Sequence, residues 1–415
     1  MHSKKFLIAG TGPVGLFTAF FLNEAGAEVV MLEKGDGPSG ASTGNAGMIV
    51  PSHFMPLAAP GAFSKAFKWL FDPESPFYIK PRIDSRLMRW GWLFLRASRS
   101  RDMQEKMSLL NTMNVESAKL YRAIIEKENL NVNYKPDGLV MYCKTKEAFD
   151  EEVHIAMQGR NLGQEVHVLN PKEALELNPG LELDIYGAIY YPNDAFLTPH
   201  LLVEKMATLL IKKGVEIHHK TGVTSLINKN GYIGSIVAGN REFTADEYIL
   251  SAGAWTDQLL APLGIDLPLQ AGKGYSVTLS DPPVMPRICS ILVEARVAVT
   301  PMQHGLRFGG TMEMAGMDER ITMSRVQGMF KSIPGFFPQF SLKDFQDQEV
   351  WHGFRPCSAD GLPYVGRVEK YSNLSVATGH AMMGLSLGPV TGKYMTEQLL
   401  KGMPLNRHLK VQRYG

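Results

Sequence analysis

The stretch "LIAGTGPVGLFTAFFLNEAGAEVVMLEKGDG", Leu7 to Gly37, decides the fold. Its first apolar run, inside "KFLIA", is short and bounded by Gly10, which reads as a strand buried on both faces. Gly10, Gly12 and Gly15 follow as G-x-G-x-x-G, and "PVGLFTAFFLNEA" continues with helical length until Gly26 stops it. "EVVML" is a second buried strand, closed by Glu33. Strand, turn, helix and strand in about thirty residues is the unit of a dinucleotide site. One glycine makes the tight turn, the next lets backbone approach a pyrophosphate at the helix N-terminus, and the third lets helix and strand pack closely. A carboxylate about 20 residues further on, here Glu33, accepts hydrogen bonds from ribose hydroxyls. An acid at that place points to a free 2′-hydroxyl, and the unit by itself leaves FAD and NAD equally open.

The following segments choose between them. "GPSGASTGNAGMIVP", Gly37 to Pro51, is rich in small residues and too long for a simple connection between strand and helix. A nicotinamide enzyme would continue with another helix and strand here. A loop of Ser, Thr, Gly and Asn offers backbone N–H groups to a second stretch of an extended ligand; the plainer reading is a flexible surface loop. "ADEYILSAGAWTDQLL", Ala245 to Leu260, and "NLSVATGHAMMGLSLGPVTGKYMTEQLL", Asn373 to Leu400, each give a strand, a glycine-containing turn and a helix start. At such junctions helix N-termini face negative groups. Between them, "WHGFRPCSADGLPYVGR" sets an arginine between Phe and Pro.

Composition sets outer bounds. The chain has 415 residues, 45% hydrophobic and 20% charged, an ordinary balance for a globular protein with two or three domain-sized units. Its 43 Lys+Arg against 41 Asp+Glu leave +2, which calls for no polyanionic partner and argues against nucleic acid. Cys143, Cys289 and Cys357 are far apart and show no C-x-x-C spacing, so no metal or iron–sulfur centre is expected and a reducing compartment fits. "MHSKKFLIAG" goes directly into a strand, without the apolar core of a signal peptide. No apolar run approaches the roughly 18 residues of a membrane span. A cytoplasmic protein, peripheral at most to the inner face of the plasma membrane, is expected.

The ordered set "STGNAGMIVP", "AAPGAFSKAFKWLFDPESP", "GAIYYPNDAFLTP", "AGKGYSV", "LRFGGTMEMAG", "GFRPCSADGLPYVGR" and "ATGHAMMGLSLGPVTG" resembles the D-amino-acid oxidase-like family of FAD-dependent amine and amino-acid oxidoreductases. Within that family the chain is most similar to the small-subunit type of D-amino-acid dehydrogenase, from the N-terminus almost to residue 400. The resemblance implies a noncovalent FAD, its ring at a two-domain interface. By it, Pro13 and Val14 lie at the pyrophosphate with Gly10, Gly12 and Gly15. Glu33 and Lys34 lie at the adenosine ribose, and Val223 meets the adenine. Ala41, Ser42, Ala46, Gly47 and Met48 contact the pyrophosphate and flavin. Gly253 belongs to the "SAGAW" turn. Gly379, His380, Ala381, Met382, Met383, Gly384, Leu385 and Ser386 form the turn at the flavin's pyrimidine edge. No cysteine stands near that turn to form a covalent link, and His380 is the one nucleophile there.

An amino-acid substrate needs its carboxylate anchored, and the planar fork of arginine binds carboxylate bidentately. Arg355 in "GFRP" matches the family's carboxylate anchor; its alternative is a structural salt bridge to Asp360 or another acid. Arg307 in "LRFGG" is a weaker second candidate, otherwise exposed on a strand. In "AGKGY", Tyr275 is a candidate donor to the carboxylate, otherwise a core tyrosine. Lys273 is a candidate flavin contact, otherwise a solvated lysine. His53 stands where the resembling dehydrogenases carry a tyrosine in "PGY"; this chain reads "PSHF", which reshapes the pocket and opens it to secondary amines such as proline or hydroxyproline. Its plainer reading is a loop histidine.

Phe63 to Arg101 combines Trp69, Trp90 and Trp92 with Lys65, Lys68, Arg86, Arg89, Arg96, Arg99 and Arg101. Such a segment either docks on an anionic membrane surface, as suits electron delivery to a quinone, or packs as amphipathic helices in the substrate domain. Elsewhere, residues 104 to 129 and "HLLVEKMATLLIKKG" read as helices, "VEIHHKTGVTSLI" as one strand, and "GYIGSIVAGNREFTADEYIL" as a hairpin. The expected architecture is α/β: a Rossmann-like FAD-binding domain from 1–52, 196–262 and 345–415, interleaved with an α+β substrate domain from 53–195 and 263–344 carrying a mixed or antiparallel sheet. The expected reaction is FAD-dependent dehydrogenation of a small D-amino acid or cyclic imino acid, with electrons passed to the respiratory chain. The rivals are a glycine- or sarcosine-type oxidase that releases peroxide and a catalytically silent flavin-binding relay subunit of a hetero-oligomer.

Overall fold

A computed structural model describes residues 4–37, 40–59 and 74–414. Lys65, Lys68 and Trp69 lie outside the described residues.

The strand Lys5–Ala9 sits near the centre of a six-stranded sheet, hydrogen-bonded in parallel to Glu28–Leu32 on one side and Glu247–Leu250 on the other. Glu216–His218 extends one edge in parallel; Leu374–Thr378, also parallel, and the antiparallel Tyr364–Arg367 extend the other. The period-2 alternation of strand side chains divides the central strand between two cores. Phe6 and Ile8 join the cluster built on helices Pro13–Glu24, Pro199–Lys212 and Gly388–Lys401. Leu7 and Ala9 join the cluster on the opposite face, which includes Leu226, Ile233 and Ile236 of a three-stranded antiparallel sheet. A strand covered on both faces must be apolar throughout, which is why "KFLIA" does not alternate.

The helix Pro13–Glu24 is almost wholly apolar because it too is covered on both sides. Helix Gly388–Lys401 crosses it so closely that a Cβ on Gly392 would lie 2.5 Å from the Phe17 carbonyl carbon. Gly26, at φ +84°, ends the helix turn in the left-handed region.

A nine-stranded mixed sheet forms the second layer system. Its order runs Trp351–Ser358, Leu269–Leu279, Gly305–Met314, Val297–Met302, Cys289–Leu292, Leu139–Cys143, Gly187–Tyr191, His167–Leu169, with Phe77–Ile79 pairing in parallel with Gly305–Met314. Trp351–Ser358 lies inside the expected third segment of the FAD domain, yet it pairs along its whole length with Leu269–Leu279. The sheet expected for the substrate domain therefore reaches past residue 345. "VEIHHKTGVTSLI" is a second correction. Lys220, at φ +52°, breaks it, and Glu216–His218 joins the six-stranded sheet while Val223–Lys229 joins the three-stranded one. No helix among the described residues is long and apolar enough to cross a membrane.

Candidate active site

One cavity of about 1500 Å³ runs from the C-terminal ends of the parallel strands, at Ala9, Leu32 and Ser251, to the face of the larger sheet at Gly274, Gly310, Met312 and Arg355. Ligand pockets for small molecules span roughly 300–1,000 Å³, so this one has room for an extended ligand and a small second one.

At its first end stands the glycine turn. Gly10 has φ +108°, and a Cβ there would lie 2.5 Å from the Ser251 carbonyl oxygen. A Cβ on Gly15 would lie 2.1 Å from the Gly10 carbonyl oxygen, so turn and helix touch backbone to backbone. Gly12 is different: only Ser42 Oγ, at 3.8 Å, is near its missing Cβ, and its open side belongs to the cavity. The helix that follows has Pro13 at its first position and no side-chain cap, which leaves first-turn N–H groups for a ligand. Glu33 accepts from Thr11 N (3.0 Å), Thr11 Oγ1 (2.5 Å) and Gly35 N (2.8 Å), so the carboxylate expected at the ribose also clamps the turn to the second strand. Lys34 Nζ lies 5.1 Å over the Trp255 ring beside it.

The small-residue loop is held from below, by the other sheet. Arg307 donates through Nη1 to the carbonyls of Thr43 and Asn45, both at 2.9 Å, and through Nε to Thr278 Oγ1. Ser276 Oγ donates to Gly44 O at 2.9 Å. The Trp351 indole crosses Gly44 and Gly353, where a Cβ would come within 2.0 and 2.2 Å of the ring. Burial pushes the Arg307 guanidinium down to about 10, which leaves it a cation at neutral pH. Arg307 is neither a substrate anchor nor exposed on a strand; it shapes the loop.

The C-terminal turn closes the other flank. Tyr121 Oη donates to Leu385 O (2.7 Å), Ser117 Oγ to Ser386 O (2.6 Å), and Val50 N to Ser386 Oγ (3.0 Å). His380 is buried, and its Nε2 sits 3.0 Å from Thr391 Oγ1. Burial pushes its imidazole down to about 3, so it is neutral and engaged inside the fold. Of the residues expected at the cofactor, Gly10, Gly12, Pro13, Val14, Glu33, Lys34, Ala41, Ser42, Ala46, Met48, Val223, Gly253 and His380 to Leu385 all line the cavity. Gly15, Gly47, Gly379 and Ser386 stand behind it and shape its wall.

At the far end, Arg355 lies across Gly274, where a Cβ would be 2.3 Å from its guanidinium carbon. Its Nη1 donates to Thr311 O and its Nη2 reaches Gly310 O at 3.5 Å. Asp360, the expected structural alternative, is taken by Arg413 in a bidentate pair at 2.9 and 2.7 Å. Among the described residues no carboxylate pairs with Arg355. A half-buried cation held only by carbonyls is an open receptor for an anion.

Lys273 and Tyr275 are corrected. Lys273 is buried, bonded to Asp318 O (2.9 Å) and Arg320 O (2.6 Å) and 3.6 Å from Glu313; it is neither solvated nor on the cavity wall. Tyr275 gives its single hydroxyl proton to Glu313 Oε2 (2.7 Å) and accepts from Thr322 N (3.0 Å). It has no proton left for a substrate carboxylate, and burial pushes it up to about 12. The two residues flank Gly274, one on each side, so both side chains leave the strand on the face opposite the one that Arg355 covers, although Tyr275 still borders the cavity.

His53 lines the cavity, with Ser52 and Asp194 behind it. Ser52 and Asp194 escaped sequence reading, since "PSHF" and "PND" look like ordinary turns. Trp90, in helix Ser85–Ser98, is buried and donates through Nε1 to Cys357 O (2.9 Å), while Trp92 on the next face is 58% exposed. The packed reading holds for Trp90, while Trp92 stays at the surface.

The profile of the FAD dependent oxidoreductase family matches residues 5–398. A D-amino acid dehydrogenase of Granulibacter bethesdensis is 27% identical over 420 residues, covering 99% of this chain and all of that one. A D-amino acid dehydrogenase of Vibrio cholerae is 29% identical over 414 residues, covering 97% and 96%. The crystal structure of glycine oxidase from Geobacillus kaustophilus superposes over the full length of both chains with a TM-score of 0.77 at 22% identity, a likeness of fold. The chain belongs to the FAD-dependent oxidoreductases, and FAD is its cofactor. The uncapped helix, the open Gly12 and the anchored loop fit the pyrophosphate and flavin of that group.

Proposed function

We propose that this chain dehydrogenates the Cα–N bond of a small amino acid, either a D-amino acid or a cyclic imino acid such as proline or hydroxyproline. The observation that carries the reading is Arg355: a half-buried guanidinium without a carboxylate partner among the described residues, in the same cavity as the cofactor cradle. The cradle of Gly12, Pro13 and the 40–47 loop would hold FAD, whose chemistry would be to take up the hydride lost from Cα. The chain's own part is to bind and orient. Arg355 takes the substrate carboxylate in two parallel hydrogen bonds, and this fixes which face of Cα is presented. Phe77, Ile79, Met312 and Trp90 give that end of the cavity apolar walls, which exclude water and suit a small uncharged side chain. The product imine is hydrolysed in water. The D-amino acid dehydrogenases to which the chain is similar support the substrate class and an acceptor other than O2.

Electron delivery to a membrane quinone is the matching proposal for the acceptor. Exposed Ile83, Met88 and Trp92, with Arg96, Arg99 and Arg101 close by, combine apolar and basic groups on one surface element.

The test is anaerobic. D-alanine, D-proline, cis-4-hydroxy-D-proline, sarcosine and glycine are mixed in turn with the purified holoprotein, and flavin absorbance is followed. Bleaching by a D-amino or imino acid, with slow peroxide formation in air, is expected. Fast peroxide release with glycine or sarcosine would move the reading to the oxidase type. No bleaching by any of them would leave a silent electron-relay subunit.

A further inference from the structure

His53 touches the cavity, and behind it a short chain of hydrogen bonds leads into the protein. His53 Nδ1 is 3.0 Å from Ser52 Oγ, and Ser52 Oγ is 2.5 Å from Asp194 Oδ2. Ser52 N also donates to Asp194 Oδ1 at 3.0 Å. Asp194 is buried, and among the described residues no cation pairs with it. The titratable groups facing it are Tyr191 at the end of the preceding strand and Cys289 two strands further along the same sheet, with Glu152 beyond the first and Asp137 beyond the second. Burial raises both Tyr191 and Cys289 far above neutral pH, so neither carries charge there.

The direction of each hydrogen bond follows from chemistry. With Asp194 ionised, Ser52 has one proton and gives it to the carboxylate. Ser52 oxygen then accepts Nδ1–H of His53, and Nε2 of the ring is left with a free lone pair. An amino acid arrives in water as an ammonium ion, yet the Cα hydride leaves only when the nitrogen lone pair is free to form the C=N bond. The proton must go to the protein.

We infer that Asp194 is the terminal acceptor of the substrate's ammonium proton, reached from the cavity through His53 and Ser52. This rests on the amino-acid reading above. The substrate N–H bond breaks as Nε2–H forms. Nδ1–H passes its proton to Ser52 Oγ as Ser52 passes its own to Asp194 Oδ2. His53 ends neutral in the opposite tautomer, Asp194 ends as a carboxylic acid, and the amine is free; no electrons move in this transfer. The chain resets when the product leaves: Nε2–H passes its proton to water while the proton of Asp194 returns through Ser52 to Nδ1, which restores the starting tautomer and the carboxylate.

Two properties of the site agree with this path. Burial pushes His53 down to about 4, which disfavours a resting imidazolium and favours passage through it. Burial pushes Asp194 up to about 7, the dominant effect over the two hydrogen bonds from Ser52, which makes it a far better proton acceptor than an ordinary aspartate.

The test uses the holoprotein and two kinds of probe. 2-Aminoisobutyrate and 2-methylproline have no hydrogen on Cα, so they bind without being oxidised. In infrared difference spectra, binding of either is expected to raise a carboxylic-acid C=O band in the wild type that is missing in Asp194→Asn. Flavin reduction by the oxidisable amino acids is then followed against pH. In the wild type the rate is expected to rise through about pH 7, as Asp194 becomes free to accept. In Asp194→Asn and Ser52→Ala the rate at neutral pH should fall about 10²-fold or more, and its rise should move to alkaline pH, where free amine is already present. Ser52→Thr, which keeps the hydroxyl, should restore the wild-type profile. Bleaching with no carboxylic-acid band, or unchanged profiles in both variants, overturns the relay alone. No bleaching by any amino acid overturns the substrate reading and the relay with it.

Discussion

At the scale of single residues, the partners a side chain already has decide what it is free to do. Lys273 is a buried cation and Arg355 a half-buried one on the adjacent strand, yet only Arg355 can receive a ligand. Lys273 is saturated by two carbonyls and Glu313, whereas Arg355 meets carbonyls alone. Arg355→Met should therefore weaken equilibrium binding of 2-aminoisobutyrate by about 10²-fold, the worth of a bidentate charge-assisted pair of roughly 3 kcal/mol. Flavin content and flavin fluorescence quenching should be unchanged. Parallel loss of FAD and of analogue binding would refute its role as anchor. In the sequence Arg355 was legible because it stands in "GFRP"; that Asp360 was spoken for by Arg413 was not, because the pair closes over 53 residues.

At the scale of elements, the cofactor loop at 40–47 takes its shape from strands it does not belong to. Arg307 and Ser276, on two neighbouring strands of the larger sheet, hold three successive parts of the loop by their carbonyl oxygens. A loop of small polar residues has little packing of its own, so these contacts supply its order. Arg307→Leu removes two charge-assisted bonds, each worth about 1.5–3 kcal/mol, and should raise the FAD dissociation constant at least 10-fold. The helix Pro13–Glu24 and the far end of the cavity should be undisturbed, so the substrate analogue should bind the residual holoprotein normally. An FAD affinity equal to wild type, measured by fluorescence titration of apoprotein, would show that the loop orders itself. Arg307 was misjudged in the sequence, since strand alternation says which face a residue takes but not what another element lays against that face.

At the scale of the whole molecule, the cavity lies between two sheets whose strands alternate along the chain, and the surface near residue 90 joins the site to the outside. Helix Ser85–Ser98 buries Trp90 beside Cys357 and exposes Met88 and Trp92. If that face meets an anionic bilayer, Met88→Ser with Trp92→Ser should lower co-sedimentation with vesicles of mixed anionic and neutral lipid several-fold, and higher salt should lower it further. Equal sedimentation of variant and wild type would assign the face to solvent. The sequence by itself determined the glycine turn that fits the cofactor's far end: Gly10 to Gly15 and Glu33 act within about thirty residues, through backbone shape and helix N-terminal charge that need no distant partner. It also carried the family, through motifs read in order. Only the tertiary structure decided the substrate end. Long-range strand pairing turned Lys273 and Tyr275 away from Arg355, and the fold brought Asp194 against Ser52 from 142 residues away. The physical reason is that a buried polar group's chemistry is set by burial and by who shares its hydrogen bonds, and both are properties of the packed chain.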